Sequence, residues 1–173
     1  MQQASRIYHH SEGYTSAKDR PGFDSKKDLR VFPVGRLDKD TTGLLLLTND
    51  GELAYRLTHP KFGVPKTYEV NFKGFLKEKE MARLKRGMRL EGKFTAPAKV
   101  NVLVKGRNCS QAQIQIHEGR KRQVRRMFEA IGHPVMKLKR IGYGNLMLSE
   151  LKEGRYRRLT HHEVARLKEM VGL

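Results

Sequence analysis

The sequence contains little that could cross-link the chain or place it in a membrane. Cys109 is its only cysteine, so an intramolecular disulfide is impossible and a reducing compartment is favoured. The longest run of aliphatic residues, Leu44 to Leu47, is far shorter than the ~20 apolar residues of a membrane-spanning helix. The N-terminus lacks the apolar core of a secretory signal. These absences predict a soluble protein of the cytoplasm.

Acidic residues are scarce relative to basic ones. The 173 residues include 36 Lys and Arg but only 18 Asp and Glu, which gives a formal net charge of +18. Such an excess opposes compaction and suits a polyanionic partner, of which nucleic acid is the first candidate. An anionic membrane surface is the second candidate, but no strongly amphipathic basic helix with aromatic anchors supports it.

Several common catalytic patterns are missing. The seven histidines show no HxxxH spacing, and no combination with cysteine predicts a zinc site. No nucleophile elbow supports a Ser-His-Asp triad, and no glycine-rich loop of the P-loop or dinucleotide-binding kind is present. The sequence therefore predicts chemistry without a metal or cofactor, or no chemistry at all.

Hydrophobic periodicity predicts strands and helices that follow one another without strict alternation. Strands are expected at residues 44–48, 66–72, 100–104 and 111–116, and around Ile7 and Tyr8. Helices are expected at residues 52–58 after an Asp50 cap, 76–86 before Gly87, 121–131, and 161–170 after a capping box of Thr160 and Glu163. This mixture favours an α+β fold with a largely antiparallel sheet.

One predicted helix carries the densest group of basic residues in the chain. Its apolar face is expected to comprise Val124, Met127, Phe128 and Ile131. At about 100° per residue, Arg122 and Arg126 point away from that face, where they either contact phosphates or are solvated. Arg125 lies at the boundary, from which its guanidinium could reach a carboxylate on a neighbouring strand.

Asp38 is the best candidate for that carboxylate. It stands in the stretch VGRLDKDTTGLLLL, just before the leucine run, so it would be held at the edge of the core. Its ordinary alternative is a turn or cap residue, and Asp40 resembles turn scaffolding. Tyr68 is either a core tyrosine with a satisfied hydroxyl or a platform for a stacked base.

Taken together, two stretches resemble a known family. VGRLDKDTTGLLLLTNDGELAYRLTHP is followed by KTYEV, and IHEGRKRQVRRMFEAIGHPV is followed by LKRIGYG. They are similar to the bacterial ribosomal RNA pseudouridine synthases, in the subgroup of the small-subunit uridine enzyme and its large-subunit relatives. The resemblance spans residues 31–160. It implies a long, mostly antiparallel mixed sheet with flanking helices and a central RNA-binding cleft, and isomerisation of uridine in ribosomal RNA without metal or cofactor.

The resemblance also implies roles for particular residues. Asp38 of the GRLD turn would be the catalytic carboxylate, and Arg125 would pair with it. Tyr68 of the KTY strand would pack on the uracil or the sugar, and Leu138 would make an apolar contact to the target base. The other expected substrate contacts are basic: Arg36, Lys121, Arg122 and Arg126.

The expected organisation is a catalytic domain over residues 31–173, preceded by a segment of strand and loop over residues 1–30. Many family members also carry an S4-type RNA-binding domain at the N-terminus, and we expect none in these 173 residues. YHHSEG stands where the family usually has a Lys-Pro pair before a glycine. The expected partner is ribosomal RNA, 23S rather than 16S, or a ribosome assembly intermediate, bound by a monomer.

A non-catalytic, basic RNA-binding or ribosome-associated protein is the alternative. Net charge fits both interpretations equally well. Asp38 with Arg125 separates them, because a pure binder gains nothing from a carboxylate in its RNA groove. A positioned carboxylate can act as nucleophile or base, and the residues leave both routes open.

Overall fold

The computed structural model describes residues 5–10 and 31–173, and only the backbone of His9 and His10. Within these ranges the strands are β1 (Ser5–His10), β2 (Phe32–Pro33), β3 (Thr41–Thr48), β4 (Lys66–Lys73), β5 (Arg89–Leu90), β6 (Lys93–Phe94), β7 (Lys99–Val104), β8 (Cys109–Ile116), β9 (Val135–Tyr143), β10 (Leu146–Met147) and β11 (Tyr156–Arg158). The helices are α1 (Gly51–Thr58), α2 (Glu78–Arg86), α3 (Gln123–Glu129) and α4 (His161–Met170), with a short 3-10 helix at Pro60–Phe62.

Nine of these strands form one mixed sheet, and β5 and β6 form a separate hairpin. Seven strands lie side by side in the order β11-β1-β3-β9-β4-β8-β7, while β2 pairs with β3 and β10 with β9. Among the described strands, only β3 and β9 are parallel neighbours, with Thr41 opposite Leu138 and Gly43 opposite Arg140. The predicted α+β fold with a long, mostly antiparallel mixed sheet is confirmed.

Strand β3 explains the leucine run, because it is buried on both faces. Leu44 and Leu46 pack with residues of α1 and α4 on one face, and Leu45 and Leu47 pack with Tyr8 on the other. Burial of each leucine contributes roughly 1.5–3 kcal/mol. The turn that precedes β3 therefore leads into a firmly anchored strand.

A second core lies at the other end of the sheet. Alternate residues of β4 and β8 pack beneath α2 and α3, as their apolar periodicity predicts. Helix α3 buries Val124, Met127 and Phe128. It begins at Gln123, two residues later than expected, because Arg122 adopts a left-handed backbone conformation with φ 53°.

Local sequence rules predicted three helix boundaries correctly. The Asp50 carboxylate accepts the backbone N–H of Leu53 at 3.0 Å and caps α1. Thr160 and Glu163 form the expected capping box of α4. Helix α2 ends before Gly87, whose φ is +86°. Within the described residues, none of the helices is long and apolar enough to span a membrane.

Two features of the sheet bear on the N-terminal prediction and on β9. The strand expected around Ile7 and Tyr8 is β1, whereas residues 1–4, 11–30 and the end of YHHSEG lie outside the described residues.

Strand β9 was not predicted. Its inward positions are Leu138, Arg140 and Gly142. Because Arg140 is charged, these positions do not show the apolar alternation that predicts a strand.

Candidate functional site

A cleft of about 350 Å³ crosses the sheet where β3, β9 and β4 run side by side. It lies between the two cores and takes side chains from both, including Tyr143 and Ile116. Its charged and polar lining residues are Arg36, Asp38, Thr41, Thr58, Lys66, Tyr68, Arg120, Lys121, Arg122, Gln123 and Arg140. Among the lining residues that the structure describes, six are Lys or Arg and Asp38 is the only carboxylate.

Asp38 lies half-buried in the turn that enters β3. The backbone N–H of Thr41 donates to the Asp38 carbonyl at 2.9 Å and closes this turn. Gly35, with φ +75°, allows the chain to reverse just before it. The turn thus holds one carboxylate in the cleft while the leucines of β3 hold the turn.

Asp40, two residues further on, is the centre of a charged cluster. Arg122 donates to its two carboxylate oxygens at 2.8 and 3.1 Å, and the Nε of Arg125 lies 3.2 Å from Oδ2. The hydrogen bonds from Arg122, helped by the charge of Arg125, lower the pKa of the Asp40 carboxyl against the opposing effect of burial. Asp40 is therefore a structural anion and more than turn scaffolding.

The predicted contact between Arg125 and Asp38 is wrong in this structure. Arg125 is buried, and it donates to the carbonyl of Asp40 at 2.6 Å and to the carbonyl of Val135 at 3.1 Å. It thereby ties the Asp38 turn to the start of β9. The cause is the turn itself, which presents the backbone and carboxylate of Asp40 to α3 while Asp38 faces the cleft.

The prediction that Arg122 points away from the core side is also wrong. Helical geometry does not apply to Arg122, because it precedes α3 in a left-handed conformation. Its side chain enters the cleft and donates to the carboxylate of Asp40. These hydrogen bonds, helped by the charges of Asp40 and Asp38, raise the pKa of Arg122 against the opposing effect of burial. Arg126 does lie outside the main cleft, where it pairs with Glu91 at 2.7 Å.

The other predicted site residues converge on the cleft from separate elements. Tyr68 of β4 is half-buried and lies opposite Arg140 of β9. Leu138 is 5% exposed and lies opposite Thr41 of β3. Arg36 and Lys121 are exposed at the edge. Asp38, Tyr68 and Leu138 thus present a carboxylate, an aromatic ring and an apolar side chain to one space.

Two buried basic residues of the cleft were missed by the sequence analysis. Lys66 is 7% exposed and donates to the carbonyl of Val64 at 2.9 Å. Burial, helped by the charge of Arg140, lowers the pKa of Lys66 to about 8. Arg140 is 3% exposed, and its Nε donates to the carbonyl of Leu44 at 2.8 Å. The sequence did contain a signal for Lys66. It stands two residues before Tyr68, so both side chains are expected on the same inward face of the predicted strand.

Gly43 permits the close packing that places Arg140. Its φ is +107°, and a Cβ at this position would lie 2.2 Å from the carbonyl oxygen of Arg140. Any other residue would therefore separate β3 from β9. The glycine of the DTTG sequence thus permits the close approach of β3 and β9 that places Arg140 in the cleft.

Lys66→Met should stabilise the fold at neutral pH. The pKa of Lys66 is about 8 in the folded protein, against the usual 10.5. Below pH 8 the buried charge therefore lowers the free energy of unfolding by roughly 3 kcal/mol, and this loss disappears as the pH rises towards 10.5. Loss of the bond to Val64 offsets about 1 kcal/mol. We therefore expect a gain in the free energy of unfolding of about 2 kcal/mol at pH 7 and none at pH 10.

Urea denaturation at the two pH values measures this difference, with Lys73→Met, an exposed lysine on the same strand, as the control. Equal stability changes for the two variants at pH 7 would contradict the assignment of Lys66 as a buried, costly cation.

The donor set of the cleft does not resemble a metal site. Among the described residues, no three His, Cys, Asp or Glu side chains come together in a way that could hold a metal ion. A single carboxylate facing basic and aromatic side chains suits covalent or acid–base chemistry on a bound polyanion.

Comparisons with known proteins agree with this geometry. The sequence model of the family described as RNA pseudouridylate synthase matches residues 5–130. The chain is 54% identical over 143 residues to the ribosomal large subunit pseudouridine synthase B of Bacillus subtilis (strain 168), covering 82% of this chain and 59% of that protein. It is 46% identical over 145 residues to an uncharacterized RNA pseudouridine synthase of Aquifex aeolicus (strain VF5), covering 83% and 58% respectively.

A solved structure of similar fold is described as that of a pseudouridylate synthase. It matches with a TM-score of 0.87 and 36% identity, covering 96% of this chain and 74% of that chain. The chain spans a little under 60% of the length of these two curated relatives, 59% and 58%.

Proposed function

Since the chain belongs to the RNA pseudouridylate synthase family, we propose that it converts specific uridines of ribosomal RNA to pseudouridine, with Asp38 as the catalytic carboxylate. The observation that carries this proposal is the position of Asp38. It is the one carboxylate among the described lining residues of a cleft that is otherwise basic, aromatic and apolar. A groove that only bound RNA would have no use for it.

The reaction replaces the N1–C1′ bond of the target uridine by a C5–C1′ bond. In one route the Asp38 carboxylate bonds to C1′ as the N1–C1′ bond breaks, and the bonding pair stays with the uracil. In the other route Asp38 takes the proton from C2′ as the uracil leaves. The detached uracil then turns and C5 bonds to C1′. In the first route this step displaces the Asp38 carboxylate from C1′, and in the second route Asp38 returns its proton to C2′ as C1′ accepts C5. The C5 proton is then lost and N1 gains a proton. Both routes need a carboxylate beside the sugar.

The remaining predicted residues supply position and contact. Tyr68 packs on the uracil or the sugar and assists removal of the C5 proton. Leu138 contacts the base that has left its stack, a step that costs a few kcal/mol. Arg125 acts through the turn, because its bonds to Asp40 and Val135 fix the two elements that carry Asp38 and Leu138. No metal or cofactor takes part in this scheme.

Basic residues at the edge of the cleft hold the RNA backbone, and they should differ in importance. Arg122 and Arg126 are paired with Asp40 and Glu91, whereas Arg36 and Lys121 have no carboxylate partner among the described residues. We expect Arg36→Ala and Lys121→Ala to weaken RNA binding and to flatten the dependence of log affinity on log salt by about one unit each. Arg122→Ala and Arg126→Ala should flatten it less.

Fluorescence titrations from low to physiological salt give these slopes. Equal slopes for all four alanine variants and the wild type would show that these side chains do not contact phosphates.

The proposed substrate is 23S rather than 16S ribosomal RNA, or an assembly intermediate that contains it. Support for the large-subunit RNA comes from the relatives named as large-subunit enzymes, and the net charge of +18 suits an RNA of either subunit. The proposed site of action is the cytoplasm, and the proposed active form is the monomer.

Treating unmodified large- and small-subunit RNA with the protein tests this proposal, with pseudouridine mapped by carbodiimide labelling and primer extension. New stops in the large-subunit RNA are the expected result. Tight RNA binding without new stops in either RNA would favour the non-catalytic alternative.

A further inference from the structure

Lys66 and Arg140 are the most deeply buried basic residues of the cleft. We propose that they form a binding site for the uracil anion that exists while the target base is detached from its ribose. This inference rests on the proposed function, and it gives a role to two residues that the scheme above leaves unused.

The two residues lie together on adjacent strands beside Tyr68. Lys66 of β4 is opposite Tyr143 of β9, and Tyr68 is opposite Arg140. The Lys66 Nζ lies 5.3 Å from the centre of the Tyr143 ring, and the Arg140 Cζ lies 5.1 Å from it. Two cations thus share one aromatic ring next to the tyrosine expected to pack on the substrate.

Both residues keep donors that the fold does not use. The Lys66 ammonium has three N–H groups and, within residues 5–10 and 31–173, makes one hydrogen bond, to the carbonyl of Val64. The Nη2 of Arg140 is buried and has no hydrogen-bond partner among the residues that the structure describes. Neither residue pairs with a carboxylate among the described residues. Burying two unpaired cations side by side costs stability, so a purely structural role does not explain the arrangement.

The chemistry of the reaction provides the missing anion. When the N1–C1′ bond breaks, its electron pair stays on the uracil, and the negative charge spreads from N1 to the two carbonyl oxygens. N–H donors already in place beside those oxygens stabilise this charge without reorganisation. The charge is absent from the bound uridine and disappears when C5 bonds to C1′. The two cations therefore favour the transition state over the bound substrate.

A backbone phosphate is the other anion that this pair could bind. Phosphates, however, run along the outside of the RNA, where Arg36 and Lys121 are exposed. Lys66 and Arg140 lie deeper, in the same wall as Tyr68 and Leu138. We therefore assign the pair to the base, and the experiment distinguishes the two anions.

The first test compares Lys66→Met with Lys73→Met, the exposed control on the same strand, and with Arg140→Lys. Single-turnover isomerisation with saturating enzyme should slow by about 10²–10³-fold for Lys66→Met, and not at all for Lys73→Met. Arg140→Lys keeps the charge but loses the planar fork, so it should slow the reaction less than Lys66→Met. RNA affinity and its salt slope should equal those of the wild type for all three variants.

The second test changes the leaving group. RNA carrying 5-fluorouridine at the target has a base whose anion is more stable, because fluorine withdraws electrons. Because C5 of this base carries fluorine and has no proton to lose, the rate compared for both RNAs is cleavage of the N1–C1′ bond, followed as loss of the N1-linked nucleoside in a single turnover. This cleavage should depend less on Lys66 with 5-fluorouridine, so the defect of Lys66→Met should shrink with this RNA. A residue that only supports the fold would slow both RNAs by the same factor.

The third test uses pH with subsaturating enzyme, which reports the free protein. A cationic Lys66 is required, so the rate should fall as the pH rises through about 8, and Lys66→Arg should retain its rate at higher pH. The other charged or titratable groups of the cleft are Arg36, Asp38, Tyr68, Arg120, Lys121, Arg122, Arg140 and Tyr143. Of these, Tyr143 has a pKa raised to about 12 by burial, outside the measured range.

The outcomes are separable from those of the proposed function. A wild-type protein that binds ribosomal RNA but forms no pseudouridine contradicts the proposed function itself. If the wild type is active and Lys66→Met matches Lys73→Met, the uracil site is wrong. A shallower salt slope with a proportional loss of affinity would assign the pair to a phosphate and overturn it. So would an equal defect with uridine and 5-fluorouridine.

Discussion

Asp38→Asn should abolish pseudouridine formation and leave RNA binding within a few-fold of the wild type. The amide keeps the size and turn geometry of the carboxylate but can neither attack C1′ nor take the C2′ proton. We expect the single-turnover rate to fall by roughly 10⁴-fold or more. Because Asp38 makes no ion pair with another described residue, the fold should lose little stability, and the loss of rate will not reflect unfolding.

The control for this variant is Glu150→Gln, which removes one exposed carboxylate that is not among the lining residues of the cleft. It changes the net charge by the same amount and should keep the wild-type rate. Near wild-type turnover by Asp38→Asn would remove Asp38 from the mechanism, and Asp40 would become the carboxylate to examine.

Arg125→Met should lower both stability and rate. Its buried guanidinium donates to two backbone carbonyls and faces the Asp40 carboxylate. Removing a charged donor from buried acceptors should cost roughly 3 kcal/mol of unfolding free energy. Displacement of the Asp38 turn should slow isomerisation by about 10²-fold at saturating enzyme. Urea denaturation and single-turnover assays measure the two effects.

The neighbouring Arg126→Met is a matched control, because Arg126 belongs to the same helix and its ion-pair partner in the described part of the chain is the exposed Glu91. It should be nearly as stable as the wild type. Arg125→Lys should recover part of the loss, since an ammonium cannot reach all the acceptors of the planar fork. If Arg125→Met were as stable as Arg126→Met and lost rate only in proportion to RNA affinity, Arg125 would be a phosphate contact.

Much of the fold could be predicted because the deciding interactions are local. The leucine run, the alternation of β4 and β8, and the side-chain caps at Asp50 and Thr160 each depend on residues a few positions apart. The location of Asp38 at the edge of β3 follows in the same way. Hydrophobic spacing and capping act before any long-range contact is known.

The charged contacts could not be predicted because they depend on backbone geometry and on distant strands. Asp38 and Asp40 are chemically equal and two residues apart, and the turn closed at Thr41 decides which one meets Arg125. The left-handed conformation of Arg122 invalidates a helical projection at that residue. Arg140 faces inward beside Lys66 only because β9 packs against both β3 and β4.

The most direct test of the account measures the hydrogen at C5 of the target uridine. Isomerisation must release it, because C5 becomes bonded to C1′, whereas RNA binding alone releases nothing. Unmodified large-subunit RNA labelled with tritium at C5 of uridine should release tritium with the wild type, in amounts that match the mapped pseudouridines, and none with Asp38→Asn bound to the same extent. Equal release by the two proteins, or none from fully bound RNA with the wild type, would contradict a uridine isomerase that acts through Asp38.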